Sequence, residues 1–474
     1  MRDIVVIGGG ISGLSAAYYI RKLAAGSGTE VNVTLLEEGG RTGGKIRTDF
    51  DGGFLVEGGP DSVMASRGRF MELCEELGIW GRVIAPSAQN GGTFIFLDGA
   101  LKKIPSGMTL MLPTSIGSLA VSDIISYKGK ARSAMEVLVP RRTDDLDESV
   151  ASFVRRRFGA EVYERMAEPI ISGIHSGNPE ITSTKCTFPL LRKMEAEHRS
   201  IIIGMLKSRK GGKKGGAGFV SFDGGMACLV AALEAAVGKP AIRTNSRACR
   251  VSVDSGRDGL GRGYHIGMDD GTSIHADAVV FATPAFVTSS LLEGIDRGLA
   301  SLLAGIPYNT IATVSLAYRE DSMPGGAQGA GFLVPRISGM RLAAATWSSS
   351  KWAGRAPEGH YLIRCYFSGA YQDGRVAMDN DALVRAAEED LRTVMGVTAR
   401  PVLAKVYIWR NGMPHYTLGH DERVASIAAA AAAHGGIFVI GAWKGGAGVP
   451  SCISGAYEES RLVVDYISGL EVRK

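Results

Sequence analysis

Hydrophobic positions at the start of the chain follow two different periods, and together they predict a strand, a helix and a second strand. Asp3 to Ile7 is a short run rich in Val and Ile, which is typical of a buried strand. Residues 11–23 carry small and apolar side chains at helical spacing, and Val31 to Glu38 returns to a strand-like run. This order predicts a βαβ unit with parallel strands, and therefore an α/β fold.

The rest of the chain changes pattern several times. Long helical stretches fill residues 66–210, strands and a helix follow to about residue 290, and strands alternate with a helix up to residue 429. We expect one α/β domain built from the discontinuous segments 1–65, 219–290 and 430–474. We expect a helical subdomain over 66–210 and a mixed α/β, substrate-binding domain over 291–429. In the helical part, the helical region that starts near Leu146 is predicted to close at Pro169 and Gly173.

The turn between the first strand and the first helix matches G-x-G-x-x-G. It consists of Gly8, Gly9, Gly10, Ile11, Ser12 and Gly13. In such a turn the glycines permit a tight bend, the approach of a pyrophosphate and close packing of helix on strand, while the helix N-terminus attracts phosphate. The second strand ends at Glu37 and Glu38, where Glu37 can accept ribose hydroxyls. This context predicts a Rossmann-like dinucleotide site; the alternative is a purely structural glycine turn.

Composition narrows the class of protein. The chain has 474 residues, 45% hydrophobic and 21% charged, with a net charge of +5, which is typical of a globular protein of two or three domains. A dense basic stripe with interleaved aromatic residues is missing, so nucleic acid is not an expected partner. The six cysteines form no C-x-x-C pair, which argues against a disulfide framework or a metal site and fits a reducing cytosol.

Two apolar stretches bear on membrane contact. The stretch Ser426 to Trp443 is interrupted by His434 and two glycines, so we expect a helix and a strand and no transmembrane segment. Ile104 to Ala120 is apolar but contains prolines and glycines. A buried loop is the favoured interpretation of that segment, and contact with a membrane surface stays open.

Reactive motifs of other enzyme classes do not occur in the sequence. It contains no H-E-x-x-H, no Walker motif and no Ser-His-Asp pattern, so metal, nucleotide-triphosphate and acyl-enzyme chemistry have no support. Arg41 and the pair Gly43-Gly44 follow the ribose acid closely, as suits a loop wrapped around a diphosphate. The chemistry expected is therefore that of the bound dinucleotide.

Several stretches resemble one family over nearly the whole chain, from Ile4 to about Ile467. The family is that of the oxygen-dependent, FAD-dependent protoporphyrinogen and coproporphyrinogen oxidases of haem biosynthesis, most closely the soluble Gram-positive type. "VVIGGGISGLSAAY" and "GGRTGGKI" are shared with amine oxidases and phytoene desaturases, whereas "EPIISGIHSG" and "HRSIIIGM" are specific to these oxidases.

The resemblance implies a non-covalent FAD and, position by position, the residues that bind it. The implied contacts to adenosine and diphosphate are Gly8, Gly9, Gly10, Ile11, Ser12, Gly13, Glu37, Glu38, Arg41, Gly44 and Lys45. Those implied around the flavin ring are Gly59, Pro60, Asp61, Ser62, Trp409, Gly448, Val449 and Pro450, with Val251 as a backbone clamp on the adenine. Cys452, just beyond this loop, is interpreted as a small buried hydrophobe rather than a redox thiol.

For the substrate, the resemblance implies positioning by backbone rather than by a catalytic dyad. The Gly173 carbonyl is expected to hold pyrrole N–H groups, with Ile174 and His175 beside it, and Arg67 is a candidate partner for a propionate. The chain departs from the family at His175 and Ser176, where Tyr and Ala are usual. His175 is open as a base, although a lone histidine is more often a packed one.

The implied reaction removes six hydrogens from a porphyrinogen in three flavin-accepting steps, with O2 as acceptor and H2O2 as product. The resemblance is closest to the soluble Gram-positive type, which implies coproporphyrinogen III as the substrate, with protoporphyrinogen IX as the alternative. The four carboxylates of coproporphyrinogen III need more cationic neighbours than the two of protoporphyrinogen IX. The expected cations at the pocket mouth are Arg67, Lys185, Arg192, Lys193, Lys207 and Arg209. Remoter alternatives are an amine or polyene oxidase and a non-enzymatic flavoprotein scaffold.

The resemblance also implies a cellular location and a partner for the protein. We expect a cytoplasmic protein, with a peripheral position at the inner face of the cell membrane left open. A transient contact with the ferrochelatase step is a further expectation, and the sequence leaves monomer and dimer open.

Overall fold

A computed structural model describes residues 1–472 apart from 66–67, 88–90, 106–107, 110–111, 114–121, 175, 211–217, 255–262, 372–373 and 375. Within this described part, no helix has both the length and the apolar character needed to cross a membrane.

The nucleotide sheet is a parallel sheet of five strands, and it confirms the predicted βαβ start of an α/β fold. Its strands, from one edge to the other, are Ile242–Arg243, Val31–Leu36, Arg2–Ile7, Ala278–Phe281 and Ile437–Val439. Strands from three separated parts of the chain therefore build one sheet. Alternate residues of the first strand enter two cores, Ile4 and Val6 on one face and Val5 and Ile7 on the other, so both faces are covered.

Helices close both faces of the nucleotide sheet. The first helix, Ile11–Ser27, and the last helix, Val449–Val472, pack in the core on one face. The helices Arg297–Ala304 and His420–Ala432 pack on the other face, together with a three-stranded sheet of Ala248–Asp254, Gly263–Met268 and Ser273–Ala276.

The large sheet has seven strands and two faces of different character. Its strands, in spatial order, are Leu403–Pro414, Tyr308–Arg319, His360–Ser368, Ala344–Trp347, Gly331–Leu333, Thr93–Leu97 and Ala100–Lys103. One face packs against the helix Asn380–Met395. Residues 93–103 belong to the segment predicted as helical, yet they form two strands of this sheet, so that segment is not helical throughout.

The helical part packs on the edge of the large sheet. Its helices are Tyr127–Ala134, Val150–Phe158, Ala160–Val162, Glu168–Ile174, Thr184–Thr187, Pro189–His198 and Ile201–Lys210. Pro169 does not end the helical region, contrary to the prediction, because a wider π-helical turn at Tyr163–Ala167 precedes it and the helix continues to Ile174. Such a turn alters the hydrogen-bond ladder just where proline lacks an N–H.

The remaining elements are short or connect these layers. The further helices are Arg69–Glu76, Ala227–Val237, Ala285–Leu292, Ser348–Lys351 and Ala442–Gly445. The further strands are Thr48–Asp51 with Phe54–Glu57, Val63–Met64 with Phe219–Phe222 and Val83–Ile84, and Met108–Thr109 with Leu112–Pro113. The domain boundaries stay a prediction, since the helices on the nucleotide sheet come partly from 291–429.

Candidate active site

The glycine-rich turn leads from the first strand into the N-terminus of the first helix. Gly8 has φ +106°, and a Cβ on Gly13 would lie 1.9 Å from the Gly8 carbonyl oxygen, so the backbone path needs both glycines. A Cβ on Gly10 would meet no atom within 4 Å. The space above Gly10 is therefore open, at the helix end where free N–H groups and the helix dipole favour a phosphate.

The acid at the end of the second strand faces this turn. The Glu37 carboxylate accepts hydrogen bonds from the Gly9 and Gly39 amides, each at 2.8 Å. Glu38 points elsewhere, is exposed, and lies 3.9 Å from Arg247. Of the two acids predicted to bind the ribose, Glu37 is the one placed beside the glycine turn.

The loop after the second strand docks on the glycine turn. The Gly43 amide donates to the Gly9 carbonyl at 2.8 Å, which brings Gly44 close to Gly10. Arg41 spends its guanidinium on this loop itself and donates to the carbonyls of Thr42, Gly44 and Ile46. Arg41, which is predicted to contact the diphosphate, therefore also holds this loop in shape.

Lys45 follows this loop and is exposed, yet desolvation by the surrounding protein lowers its pKa. Cys452, from the first turn of the last helix, lies in electrostatic range of Lys45 and is itself buried. Burial raises the pKa of the Cys452 thiol and keeps it protonated, which agrees with a packed, unreactive role.

The stretch Gly58 to Ser62 joins the nucleotide half to the large sheet. A Cβ on Gly59 would lie 1.7 Å from the Lys45 carbonyl oxygen, so this backbone passes directly over the loop. The Trp409 indole donates to the Gly58 carbonyl at 2.7 Å. Residues far apart in the sequence thus meet at this stretch, and we refer to the region between it and the large sheet as the cleft.

The remaining predicted cofactor residues lie on the nucleotide half. The last helix begins at Val449, after Gly448, so Pro450 lies in its first turn. Val251 is 1% exposed in the strand Ala248–Asp254, and its side chain joins the core under the nucleotide sheet. This agrees with a contribution through backbone rather than side chain.

These features fit an FAD. The open space above Gly10 supplies a phosphate site, and Glu37 supplies a ribose acceptor. Lys45 supplies a cation. Glu37 would hold the adenosine ribose, and the amides of the first helix would hold the diphosphate. FAD, when bound, supplies the capacity to accept a hydride.

One face of the large sheet looks into the cleft and is polar. Residues two apart in a strand share a face, so Arg364, Tyr366 and Ser368 lie together, opposite the core residues Ile363, Cys365 and Phe367. Tyr366 pairs with Thr313 and Ala344 in the neighbouring strands. A strand with both faces enclosed but polar side chains on one of them is typical of a binding surface.

Asp61 is a buried carboxylate held by a lysine. Its carboxylate lies 3.2 Å from the Lys351 ammonium and accepts from the Ser62 hydroxyl at 2.7 Å. Burial raises the pKa of Asp61, but the charges of Lys351 and Arg364 and the Ser62 hydrogen bond outweigh burial and lower that pKa to about 2. Asp61 is therefore an anion at neutral pH.

The pocket helix, Glu168–Ile174, carries the predicted substrate residues. Gly173 packs closely on the large sheet, since a Cβ there would lie 3.3 Å from the Ala343 carbonyl oxygen. Ile174 is the last residue of this helix, whereas Arg67 and His175 lie outside the described residues. The carbonyls of a last helical turn have no partner within the helix. The Ile171 carbonyl accepts from the Gly177 amide at 3.2 Å, and the Gly173 carbonyl is the one predicted to meet the substrate.

The loop that follows the pocket helix is held in place by buried polar groups. Ser176 is buried with φ +50°, its hydroxyl lies 3.0 Å from that of Ser368, and its carbonyl accepts from the Asn309 amide. His415 lies 2.8 Å from the Thr182 hydroxyl, next to Gly177. Burial lowers the pKa of His415 to about 4, so it stays neutral and hydrogen-bonded at pH 7.

Sequence reasoning missed Lys351, Arg364 and Asn309. The one signal available was the alternation in "HYLIRCYFS", which places an arginine within a strand of otherwise buried residues. Two of the cations expected at the pocket mouth already form ion pairs with carboxylates: Lys185 with Asp421, and Lys193 with Glu197.

Comparison with known proteins decides the family. The flavin-containing amine oxidoreductase family matches residues 11–468. The coproporphyrinogen III oxidase of Bacillus subtilis (strain 168) is 31% identical over 95% of this chain and 96% of its own length. The chain belongs to the porphyrinogen oxidases, within the flavin-containing amine oxidoreductases. The porphyrinogen oxidase family, the FAD cofactor and the oxidase chemistry expected from the sequence are thereby confirmed.

Other members of the family support the same assignment. The coproporphyrinogen III oxidase of Staphylococcus aureus is 30% identical over 96% of this chain and 97% of its own length. The chloroplastic protoporphyrinogen oxidase 1 of spinach is 31% identical over 98% of the chain and 84% of its own length.

Solved structures agree at the level of the fold. A protein from Exiguobacterium sp. 255-15, assigned as a protoporphyrinogen oxidase, superposes with a TM-score of 0.85 at 28% identity, covering 98% of both chains. Cyclohexylamine oxidase from Brevibacterium oxydans superposes with a TM-score of 0.69 at 16% identity, which shows a shared fold only.

Proposed function

We propose that this porphyrinogen oxidase converts coproporphyrinogen III to coproporphyrin III, with O2 as the acceptor and H2O2 as the product. The observation that carries the proposal is the match, along nearly the full length of both chains, to bacterial relatives named coproporphyrinogen III oxidase. The polar face of the large sheet supports it, since a substrate with four carboxylates needs polar partners around its rim. Protoporphyrinogen IX is the alternative substrate.

The chain's own groups position the substrate and exclude water. The pocket helix lies against the large sheet through Gly173, and the Ser176 and His415 contacts fix the loop behind it. A non-planar porphyrinogen, with sp³ carbons between its pyrroles, would be placed between this helix and the Gly58–Ser62 stretch with a bridging carbon toward the flavin. The Gly173 carbonyl is proposed to hold the pyrrole N–H groups, from which protons leave as the macrocycle becomes aromatic.

An anaerobic titration tests this function. Coproporphyrinogen III added to the yellow holoenzyme under nitrogen should bleach the flavin absorbance, and admission of air should restore it with release of H2O2. Primary amines added in the same way serve as the control for an amine oxidase and should leave the flavin oxidised. A flavin that stays oxidised with coproporphyrinogen III and with protoporphyrinogen IX would contradict the proposal.

Contact with a membrane and contact with a partner protein are further proposals. The helical part exposes the apolar side chains of Tyr127, Leu138 and Leu146, which are 88%, 66% and 68% exposed. This surface is available for a peripheral contact with the inner face of the membrane or for the transient contact proposed with the iron-inserting ferrochelatase.

A further inference from the structure

Arg364 is a buried cation without a hydrogen-bond partner among the described residues. It lies in the strand His360–Ser368, is 3% exposed, and its Nε is buried without a hydrogen bond. Its guanidinium lies over the Tyr366 ring, 5.0 Å from the ring centre, and its charge acts on the Asp61 and Glu57 carboxyl groups without forming an ion pair with either in the described part of the chain. A buried charge without a partner is costly, so the guanidinium calls for an anion.

The carboxyl groups near Arg364 have other hydrogen-bond partners. Asp61 is held by Lys351 at 3.2 Å, and Glu57 accepts from the Met226 amide and the Thr48 hydroxyl. Arg355, the other buried arginine here, donates to the carbonyls of Asp223 and Phe222 and to the Ser221 hydroxyl. Lys351 and Arg355 thus have hydrogen-bond partners in the protein, whereas Arg364 has none among the described residues.

Arg364 lies on the cleft side of the large sheet, near the pocket helix. It shares a face with Tyr366, about 7 Å further along the strand. Tyr366 is paired with Ala344, which touches Gly173 of the pocket helix. The FAD phosphates are assigned to the glycine turn, which belongs to a different sheet from Arg364. The anion that we assign to Arg364 is therefore a group of the substrate.

We propose that Arg364 binds a carboxylate of the porphyrinogen and makes the enzyme selective for substrates with more carboxylates. A guanidinium presents a planar fork of donors that matches a carboxylate, and the buried site strengthens the pairing. This inference rests on the proposed function, because it takes the substrate to be a carboxylated tetrapyrrole. Arg364 anchors the substrate and takes no part in hydride transfer.

The test compares two porphyrin probes on the holoenzyme by fluorescence titration: coproporphyrin III and its tetramethyl ester, which has the same ring without charges. In Arg364→Met the Kd for coproporphyrin III should rise about tenfold or more, as expected for a lost charge-assisted hydrogen bond, and the Kd for the ester should stay unchanged. Arg364→Lys keeps the charge but loses the fork, so the acid-to-ester preference should fall by a smaller factor.

Arg355→Met is the matched control, since it removes a buried guanidinium from the same neighbourhood whose two terminal nitrogens are already hydrogen-bonded to the protein. It should lower the thermal stability and leave the acid-to-ester ratio unchanged. If Arg364→Met does not retain FAD, Arg364→Lys alone decides the question. An unchanged acid-to-ester ratio would overturn the inference. If the flavin reduction potential shifts at the same time, Arg364 acts on the cofactor.

Failure of the proposed function is a separate result. A wild-type holoenzyme that binds coproporphyrin III but oxidises no porphyrinogen would contradict the function. The acid-to-ester ratio of the Arg364 variants would still decide whether this residue binds a carboxylate.

Discussion

Glycines of a single motif have different tasks in this chain. Gly13 is required by the fold, because a Cβ would lie 1.9 Å from the Gly8 carbonyl oxygen. Gly10 has no such constraint, since the space a Cβ would fill is empty of protein atoms. The motif predicts these different tasks, and the geometry around Gly10 and Gly13 agrees with them.

Gly10→Val should therefore give a folded protein that has lost FAD, because the valine side chain occupies the place of the pyrophosphate. The measurement is flavin absorbance per protein after gel filtration, with circular dichroism to check the fold. Gly13→Val is the contrast and should fold poorly. A Gly10→Val protein that stays yellow would contradict the placement of the diphosphate.

Asp61 should make stability depend on pH in a defined window. The folded pKa of about 2 lies below the ordinary value of an unfolded aspartate, so its contribution is present above about pH 4 and is lost as the pH falls through the folded pKa. A difference of nearly two pH units corresponds to about 2.5 kcal/mol.

Urea unfolding of wild type and Asp61→Asn between pH 7 and pH 3 measures this contribution. The difference in the free energy of unfolding should be constant from pH 7 to about pH 5 and should shrink below about pH 4. A difference that does not change with pH would mean that the Asp61 and Lys351 charges do not interact in the folded protein.

At the scale of elements, the helices of the helical part are tied together by buried ions. Glu136 and Arg157 are both fully buried and hydrogen-bonded to each other. Glu136 also accepts from the Ser200 hydroxyl and, at 2.9 Å, from the Ile201 amide, so it caps the helix Ile201–Lys210. A single carboxylate thus connects three segments.

Glu136→Gln should lower the free energy of unfolding by about 3 kcal/mol, because it leaves the buried Arg157 charge with only the longer ion pair to Glu195, at 3.7 Å. Replacing both residues by methionine should recover most of that loss. Urea unfolding is the measurement, and Glu197→Gln, at an exposed carboxylate 3.8 Å from Lys193, is the control with an expected change within about 0.5 kcal/mol. A Glu136→Gln protein as stable as wild type would contradict the account.

Elements that depend on local pattern could be predicted from the sequence, and those that depend on distant pairing could not. The βαβ start, the glycine turn and Glu37 follow from residues less than 40 positions apart. The strands at 93–103 were missed because they are short, lie among helical segments, and pair with a strand more than 200 residues away. Lys351 and Asp61 come together only through the fold, so no spacing in the sequence predicts their ion pair.

On the scale of the whole molecule, a few contacts join the nucleotide half to the large sheet. The Trp409 indole binds the Gly58 carbonyl, and Lys351 binds Asp61. Both contacts fall on the stretch Gly58–Ser62, between the glycine turn and the polar face of the large sheet. The molecule thereby brings a cofactor site and a polar, partly cationic cleft together in one place, which is what oxidation of a carboxylated tetrapyrrole requires.

The most direct test of this account is a competition between coproporphyrinogen III and protoporphyrinogen IX, with kcat/KM determined for each at low and at high ionic strength. We predict a higher kcat/KM for coproporphyrinogen III at low salt and a smaller preference as salt screens the charges at the rim of the cleft. A higher kcat/KM for protoporphyrinogen IX at both ionic strengths would contradict it.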